Sequence, residues 1–494
     1  MTSLFSAATF FRKKPANCDT TGPALNRVLS AWDLTLLGVG AIIGTGIFVL
    51  TGVAAATMSG PAVVLSFVVS GIACAFAALA YAELSASVGG CGSAYGYSYA
   101  AFGEFIAWVI GWDLVLEYGV SVAAVANGWS GYLKRGMASL DIALPEALTK
   151  GPWATKGVEV NGAMTQVADG GIVNLPAVII ILLLMVMLIV GVKQSARLNA
   201  AMVFIKLLTI SVFVFVAARF VFSDIEAAKA LWTPFMPFGW FGTGEDGKHF
   251  GILAGASLVF FAYVGFDAVS TAVEESRNPQ KDVPIGILAS LVFCTIIYIV
   301  VSGLLTGVVK YDTLNTSSPV ADALSAIGFK AGAALVSAGV IAGLTTVMLV
   351  LYYGLTRIIF AMSRDGLLPV SLGEVNEKTR TPVRTTVICG VIMAIMAGFI
   401  PLGALAELTN IGTLAAFVLV CGGVIMLRVQ QPNLPRPFKT PGGLIVPFMG
   451  VLSCGALICF LPPETHLRFV LWLVVGVVIY FAYGMRHSLL NKPA

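Results

Sequence analysis

Four glycines stand close together in the first long apolar stretch of the chain, at Gly38, Gly40, Gly44 and Gly46. Glycine lets a chain leave the helical path at low steric cost, and the amide groups of a half-helix can bind an anion. The alternative is helix packing, because Gly40 and Gly44 also satisfy the GxxxG spacing. Four glycines within nine residues exceed the needs of one packing face. We therefore favour an interrupted helix whose amides, around Thr45, bind a carboxylate.

A second apolar stretch includes residues 257–267 and carries Gly265 and Asp267. If this helix is interrupted too, backbone carbonyls around residues 260–264 would face an ammonium group, and the aromatic rings there would close over a ligand. The alternative is a row of core or lipid-facing aromatics. Carbonyls here and amides in the first stretch would suit a zwitterion, and interrupted membrane helices indicate a transporter's substrate site.

Lys206 lies in the middle of the apolar stretch 197–222. A charge at that depth is costly, so an intramembrane ionisable residue is a functional candidate. A buried amine that releases and regains a proton would couple transport to a proton, and a potential of 100 mV contributes about 2.3 kcal/mol per charge. The alternative is a lysine that is structurally paired, or one whose ammonium group reaches the membrane surface.

Asp113 and Glu117 are one helical turn apart in the stretch 102–133, so they share one helix face. Glu117 would contact substrate or titrate. The alternative is that both carboxylates belong to fixed ion pairs.

The composition is that of a membrane protein. The 494 residues are 58% hydrophobic and 11% charged, whereas soluble domains carry about 25% charged residues. The net charge of +4 is small and the basic residues are scattered, which excludes a nucleic-acid surface. Most cysteines lie inside apolar runs and indicate packing roles. The polar N-terminal residues predict no removable signal peptide.

Two other kinds of site are rejected. Residues 242–249 resemble a phosphate-binding loop motif. This stretch, however, ends in His249 where the motif has Ser or Thr, and it follows no predicted strand. The three histidines are far apart in sequence, so we expect no metal site and no cofactor.

Twelve apolar stretches are long enough to cross a membrane as helices, which predicts an all-α integral membrane protein. Most lysines and arginines fall on the side of the N-terminus, so both termini are predicted to be cytoplasmic. The stretches cover residues 34–58, 61–88, 102–133, 173–193, 197–222, 250–272, 284–309, 331–362, 385–400, 403–428, 443–462 and 467–485.

The two interrupted stretches are the first and the sixth, five helices apart. An odd number of spans inverts topology, so helices 1–5 and 6–10 are predicted to form an inverted pair, with helices 11 and 12 outside it. The predicted division is a cytoplasmic tail at 1–30, the first repeat at 31–222, the inverted repeat at 248–430, helices 11 and 12 at 441–486, and a cytoplasmic tail at 487–494.

Five motifs together resemble the amino acid–polyamine–organocation (APC) superfamily, and most closely bacterial members of its cationic amino acid transporter family. The motifs are GAIIGTGIF at 40–48, FAYVGFD at 261–267, EESRNP at 274–279, MSRDGLLP at 362–369 and LTNIGTL at 408–414. The resemblance covers residues 24–487. It implies a five-plus-five inverted-repeat core in the bacterial cytoplasmic membrane, with the substrate between broken helices 1 and 6.

The resemblance also implies roles for single residues. Amides near Ile43, Thr45 and Gly46 would bind the α-carboxylate of an amino acid. Carbonyls near Phe261, Ala262 and Val264 would bind its α-amine, and Phe261 would act as a gate. Lys206 matches a lysine that replaces a coupling sodium ion in proton-coupled relatives. Thr345 and Thr346 would line the helix-8 side of that space.

The expected function is proton-coupled transport of amino acids by alternating access. Apolar helix-8 residues such as Leu351 favour small neutral or aliphatic substrates, whereas Glu117 leaves cationic substrates open. An amino acid/amine or amino acid/amino acid exchanger is the alternative within transport. A nutrient-sensing receptor on a transporter scaffold is the alternative outside it. An enzyme is not expected, because no nucleophile–base or metal cluster lies within the helices.

Overall fold

The structure is a computed structural model that describes residues 12–13, 27–88, 94–160, 163–191, 196–244, 249–377, 379 and 381–491. Most of the predicted N-terminal tail, residues 492–494 of the C-terminal tail, residues 89–93 and residues 245–248 of the rejected loop motif lie outside these ranges. The described chain is dominated by helices packed around one buried apolar core.

The α-helices follow one another along the chain and account for each predicted apolar stretch. They are α1 Ala31–Ile42, α2 Thr51–Ala54, α3 Val63–Val88, α4 Ala94–Ala101, α5 Glu104–Ala138, α6 Leu175–Val190, α7 Ala196–Ser223, α8 Ile225–Leu231, α9 Ile252–Val259, α10 Ala268–Thr271, α11 Pro279–Val308, α12 Pro319–Ala326, α13 Lys330–Arg364, α14 Val383–Phe399, α15 Leu402–Gln430, α16 Ile445–Cys459, α17 Pro463–Ile479 and α18 Met485–His487.

Shorter helical segments and strands join them. The π-helical segments are Gly46–Leu50, Ala55–Ser59 and Tyr480–Gly484, and the 3-10 segments are Gly60–Ala62, Glu146–Leu148, Phe260–Tyr263, Val273–Glu275, Tyr311–Leu314, Val370–Leu372 and Leu489–Asn491. The strands are β1 Thr155–Val160, β2 Ala163–Ala168, β3 Gly242–Thr243 and β4 His249–Phe250.

Within the described residues, eight helical runs are long and apolar enough to cross a membrane by length and composition. Four shorter apolar helices accompany them, namely α1, α6, α14 and α16. The membrane class is therefore confirmed, whereas the count of twelve spanning helices, the inverted repeat and the domain division stay predictions. A spanning helix needs about 20 residues, and the shorter four fall below that length.

Burial separates inner from outer helices. The run Ile252–Thr271 is 94% buried and α5 is 83% buried over their most apolar windows, whereas Pro463–His487 is only 17% buried. The outer helices present large apolar side chains outward, as lipid-facing helices do. On α7 these include Phe204, Leu208 and Phe215. A site enclosed by the protein can therefore form between the two inner helical runs, Ile252–Thr271 and α5.

Both ends of the described chain meet at Glu104, the first residue of α5. The backbone N–H of Glu104 donates to the carbonyl of Arg12 at 2.9 Å. Its fully buried carboxylate accepts from the hydroxyls of Tyr480 at 3.0 Å and Ser488 at 2.6 Å. The N-terminal and C-terminal segments thus lie at the same end of the bundle.

Several elements were not predicted from the sequence. Strands β1 and β2 pair antiparallel within the polar stretch between α5 and α6. Beside this hairpin, Lys150 and Lys134 contact the carboxylate of Glu146, and these ammonium groups lower the pKa of Glu146. Helix α4 precedes α5, and α12 precedes the long helix α13. Each is short, so hydropathy over a membrane-length window does not detect it.

Candidate functional site

The first apolar stretch is interrupted at Ile43. Helix α1 ends at Ile42, and Ile43 is extended with φ −72° and ψ 100°. The helical hydrogen bonds that follow are long or irregular. The N–H of Phe48 donates to the carbonyl of Gly44 at 3.4 Å, and Gly46–Leu50 is a π-helix. The three residues predicted at the break, Gly44, Thr45 and Gly46, therefore lie where the regular helix is lost.

Thr45 carries an unsatisfied hydroxyl at this break. The residue is fully buried, and its Oγ1 has no hydrogen-bond partner among the described residues. Gly128 of α5 makes room for it, since a Cβ at position 128 would lie 2.6 Å from Thr45 Cγ2. A buried hydroxyl without a partner costs about 1–3 kcal/mol, so this group is suited to a ligand.

The sixth apolar stretch is interrupted as well. Helix α9 ends at Val259, a 3-10 turn covers Phe260–Tyr263, and Val264 is extended with φ −57° and ψ 130°. Gly265 has φ +115°, a conformation that side chains with a Cβ rarely adopt. The backbone therefore leaves the helix at the predicted residues.

The two interruptions touch each other. A Cβ at Gly46 would lie 2.3 Å from the Cα of Ala262, so only glycine permits this approach. The hydroxyl of Tyr298 on α11 lies 2.9 Å from the carbonyl oxygen of Ile42 and 2.8 Å from that of Ala262. Its single proton serves one carbonyl at a time, which leaves the other available as an acceptor.

A small cavity lies between the interruptions. Its volume, about 10 Å³, has room for roughly one water molecule, so an amino acid requires neighbouring side chains to move outward. The lining residues are Ala41, Ile42, Gly44, Thr45, Gly46, Ser121, Val125, Phe261, Val264, Val347 and Leu351.

Six of the nine predicted substrate-binding residues line this cavity: Gly44, Thr45, Gly46, Phe261, Val264 and Leu351. The other three lie beside it. Ile43 forms the break in the first stretch, and Ala262 packs against Gly46. Glu117 on α5 does not line the cavity, and its carboxylate lies within hydrogen-bonding reach of the Thr413 hydroxyl.

Glu117 is one of three buried acidic residues near the site. Asp113 lies one turn before it on α5, and Asp267 accepts a hydrogen bond from the Tyr118 hydroxyl at 3.3 Å. The Oδ1 atoms of Asp113 and Asp267 have no hydrogen-bond partner among the described residues. Neither Asp113 nor Glu117 forms an ion pair within that part of the chain, so the predicted alternative of fixed ion pairs has no support there.

Lys206 is almost completely buried, with 1% of its surface exposed. Its Nζ donates a hydrogen bond to the carbonyl of Gly40 at 2.5 Å. Gly40 lies one turn before the break in the first stretch, so the amine of helix α7 bonds directly to the half-helix that leads into the cavity. The alternative of an ammonium group that reaches the membrane surface does not fit this burial.

Thr345 and Thr346 lie on α13 and satisfy their hydroxyls locally. Thr345 donates to the carbonyl of Ile341 at 2.8 Å and accepts from the Trp129 indole at 3.0 Å. Thr346 donates to the carbonyl of Gly343 at 2.7 Å. Both donor protons are thus used within α13, and their predicted role beside Lys206 stays a prediction.

Sequence reasoning missed six residues of the site. Five of them line the cavity, namely Ala41, Ile42, Ser121, Val125 and Val347, and Tyr298 bridges the two breaks. Their signal is weak, because small and aliphatic residues on a membrane helix do not reveal which face is inward. Among the residues that the structure describes, no three His, Cys, Asp or Glu side chains are grouped as a metal site.

Comparison with known proteins places this arrangement in a family. The family model described as amino acid permease matches residues 29–483. That range includes both interrupted stretches, Lys206 and every residue that lines the cavity.

Three relatives are similar over most of this chain. The branched-chain amino acid permease BcaP of Bacillus subtilis (strain 168) is 47% identical over 98% of this chain and 99% of its own length. The methylthioribose transporter of the same organism is 46% identical over 98% of this chain and all of its own length. Cationic amino acid transporter 4 of Homo sapiens is 37% identical over 87% of this chain and 64% of its own length.

A family match over more than nine-tenths of the sequence, supported by full-length relatives, defines the class of the protein. The chain is a multi-pass membrane transporter that belongs to the amino acid permease family of the APC superfamily.

Proposed function

We propose that the protein is a proton-coupled transporter of small and branched neutral L-amino acids, working by alternating access in a bacterial cytoplasmic membrane. Thr45 lines the cavity between the two helix breaks, and its hydroxyl has no hydrogen-bond partner among the described residues; this observation carries the proposal. A carboxylate is the acceptor that a free hydroxyl and neighbouring amides would bind.

The substrate class follows from the cavity wall. Val125, Val347 and Leu351 are aliphatic, and Ser121 is the small polar side chain beside them. No charged side chain lines the cavity among the described residues, so a cationic side chain would enter without a counter-ion. Burial of an unpaired charge is costly, and an aliphatic side chain gains from the same wall. A relative named as a branched-chain amino acid permease agrees with this choice.

Lys206 supplies the proposed coupling. A protonated amine donates a stronger hydrogen bond to the Gly40 carbonyl than a neutral amine does, because charge-assisted hydrogen bonds are about twice as strong as neutral ones. Protonation would therefore favour the arrangement in which α1 is bound to α7, and proton loss would release it. The substrate-binding half-helix would thus respond to the proton.

The orientation forms part of the proposal. Both termini would be cytoplasmic, because most lysines and arginines lie on the N-terminal side and Arg12 and Ser488 both bond to Glu104. We also propose that the chain belongs to the cationic amino acid transporter branch, as the sequence motifs imply.

The test is uptake by the purified full-length chain in liposomes under an imposed inward proton gradient. We expect accumulation of labelled leucine, valine and alanine, and little uptake of labelled arginine. K206A should abolish gradient-driven accumulation but retain counterflow, and K229A, which alters an exposed lysine paired with Glu226, is the matched control. Accumulation by K206A at the level of K229A would refute the coupling role.

Two rivals are separated in the same assay. A neutral thiosugar is the second candidate substrate, because one relative is named as a methylthioribose transporter and two hydroxyl-bearing residues, Thr45 and Ser121, line the cavity. Preferential uptake of methylthioribose over leucine would favour it. An exchanger would move label only against internal substrate, with no response to the proton gradient. Substrate binding without any transport would indicate a receptor.

A further inference from the structure

Two glycines of α13 form the surface on which α7 packs. A Cβ at Gly339 would lie 1.9 Å from Thr209 Oγ1, and a Cβ at Gly343 would lie 2.8 Å from Lys206 Cγ. Side chains on neighbouring helices are thus in contact with bare backbone at both positions. Small residues commonly permit such close packing between membrane helices.

The contact at Gly343 involves the whole lysine stem. The same Cβ would lie 3.1 Å from Lys206 Cε and 3.4 Å from Cδ, so three consecutive carbons of the lysine run along this glycine. The Cγ atom is near the lysine backbone and moves little without a change of rotamer. Lys206 is 1% exposed, which leaves it no solvent-filled space to enter.

The opposite end of Lys206 is fixed just as closely. Its Nζ bonds to the Gly40 carbonyl at 2.5 Å. A Cβ at Gly40 would lie 2.9 Å from Val203 Cγ2 and 3.1 Å from Asn199 Oδ1, so α1 also approaches α7 through a glycine. The lysine side chain therefore lies between a glycine of α13 along its stem and a glycine of α1 at its head.

We propose that Gly343 is a positioning residue for Lys206, which acts by leaving room for the stem that carries the amine to the Gly40 carbonyl. A methyl group at position 343 would push the stem away from α13 and move Nζ off this carbonyl. The hydrogen bond between the lysine and the first interrupted stretch would then be lost, so protonation of the lysine would no longer affect that helix break. This inference rests on the proposed coupling role of Lys206.

The competing explanation is that Gly343 serves helix packing alone. A double-mutant cycle separates the two roles, because residues that act through one contact are non-additive. K206A removes the carbons that a Cβ at position 343 would meet, so K206A/G343A has space for the added methyl group. G339A alters packing between the same two helices at Thr209 without touching Lys206, and it is the local control.

The experiment measures proton-driven accumulation of leucine, its pH profile, leucine counterflow and the melting temperature for wild type, G343A, G339A, K206A and K206A/G343A. We expect G343A to lower accumulation about tenfold or more, since the added methyl group overpacks against the lysine stem and displaces it, and to shift the pH profile while keeping counterflow. K206A/G343A should match K206A in transport and melting temperature.

Three outcomes would overturn the inference. They are an unchanged pH profile in G343A, an equal shift of the pH profile in G339A, and a further loss of counterflow or melting temperature when G343A is added to K206A. The proposed function fails separately, if wild type itself shows no proton-driven accumulation. G343A that folds poorly leaves the inference testable through K206A/G343A, because a melting temperature well below that of K206A would assign the glycine to packing.

Discussion

Gly46 and Ala262 bring the two interrupted stretches into direct backbone contact, since a Cβ on Gly46 would lie 2.3 Å from the Cα of Ala262. Neither residue can yield by turning a side chain, because the approach involves main-chain atoms. This contact sets the separation between the half-helix whose amides are proposed to bind substrate and the turn whose carbonyls are proposed to do so.

The first prediction follows from that contact. G46A forces the two breaks apart, and overpacking of this kind typically costs about 1–3 kcal/mol. We expect leucine uptake to fall about tenfold or more while the protein remains in the membrane, as measured by transport in liposomes at equal protein content. G455A is the matched control, because a Cβ there meets no atom within 4 Å. Equal activity of G46A and G455A would contradict the close contact.

The second prediction concerns the unpartnered hydroxyl of Thr45. T45V keeps the shape of the side chain but removes a buried oxygen without a hydrogen-bond partner among the described residues. Substrate affinity should weaken about three- to tenfold, which corresponds to a hydrogen bond worth about 0.5–1.5 kcal/mol. The melting temperature of the substrate-free protein should rise, because an unsatisfied group is removed.

The control for this prediction is T57V, whose hydroxyl donates to the Val53 carbonyl of its own helix at 2.8 Å. Binding by T57V should equal wild type. Undiminished leucine affinity in T45V would show that this hydroxyl does not contact the ligand. Affinity is measured by titration of the purified protein with leucine.

The third prediction addresses side-chain selection. Leu351 lines the cavity, and L351S removes three carbons from its wall, so longer substrates should be admitted and leucine should bind more weakly. We expect the uptake ratio of arginine or methionine to alanine to rise. L349S is the control, because Leu349 is equally buried on the same helix but does not line the cavity. The same substrate profile in both variants would remove Leu351 from the selecting wall.

The fourth prediction uses Glu104. Since Arg12 and Ser488 both bond to this residue, tags placed at the two termini should be accessible from the same side of the membrane in sealed vesicles. E104A should lower the melting temperature, because two hydroxyl donors lose a buried acceptor, whereas E226A, at an exposed glutamate, should not. Tags accessible from opposite sides would contradict an even number of spanning helices.

Part of the site could be read from local sequence. The clustered glycines at 44 and 46, Gly265 and the mid-helix Lys206 each stand at or next to a backbone break or a buried amine bond in the structure. Such signals can be read without knowing the neighbouring helices, because a cluster of glycines or a charge inside an apolar stretch is unusual by itself.

The limits of the helices were also predictable, because apolar length and turn residues are local properties. The predicted stretch 331–362 became Lys330–Arg364, and 403–428 became Leu402–Gln430. The small elements α4, α12 and the β1–β2 hairpin were not, because none of them leaves a pattern long enough to separate it from a loop.

What the sequence alone determined was the membrane class, the order of the helices, the places where two of them break and the position of Lys206 in the middle of a helix. Only the tertiary structure decided which side chains meet there. Tyr298 reaches the carbonyls of Ile42 and Ala262 from a distant helix, and Glu117 lies beside the cavity instead of in its wall. The physical reason is that a helix in lipid is apolar on every side, so its sequence does not fix its rotation about its own axis. Packing against other helices decides which face points inward.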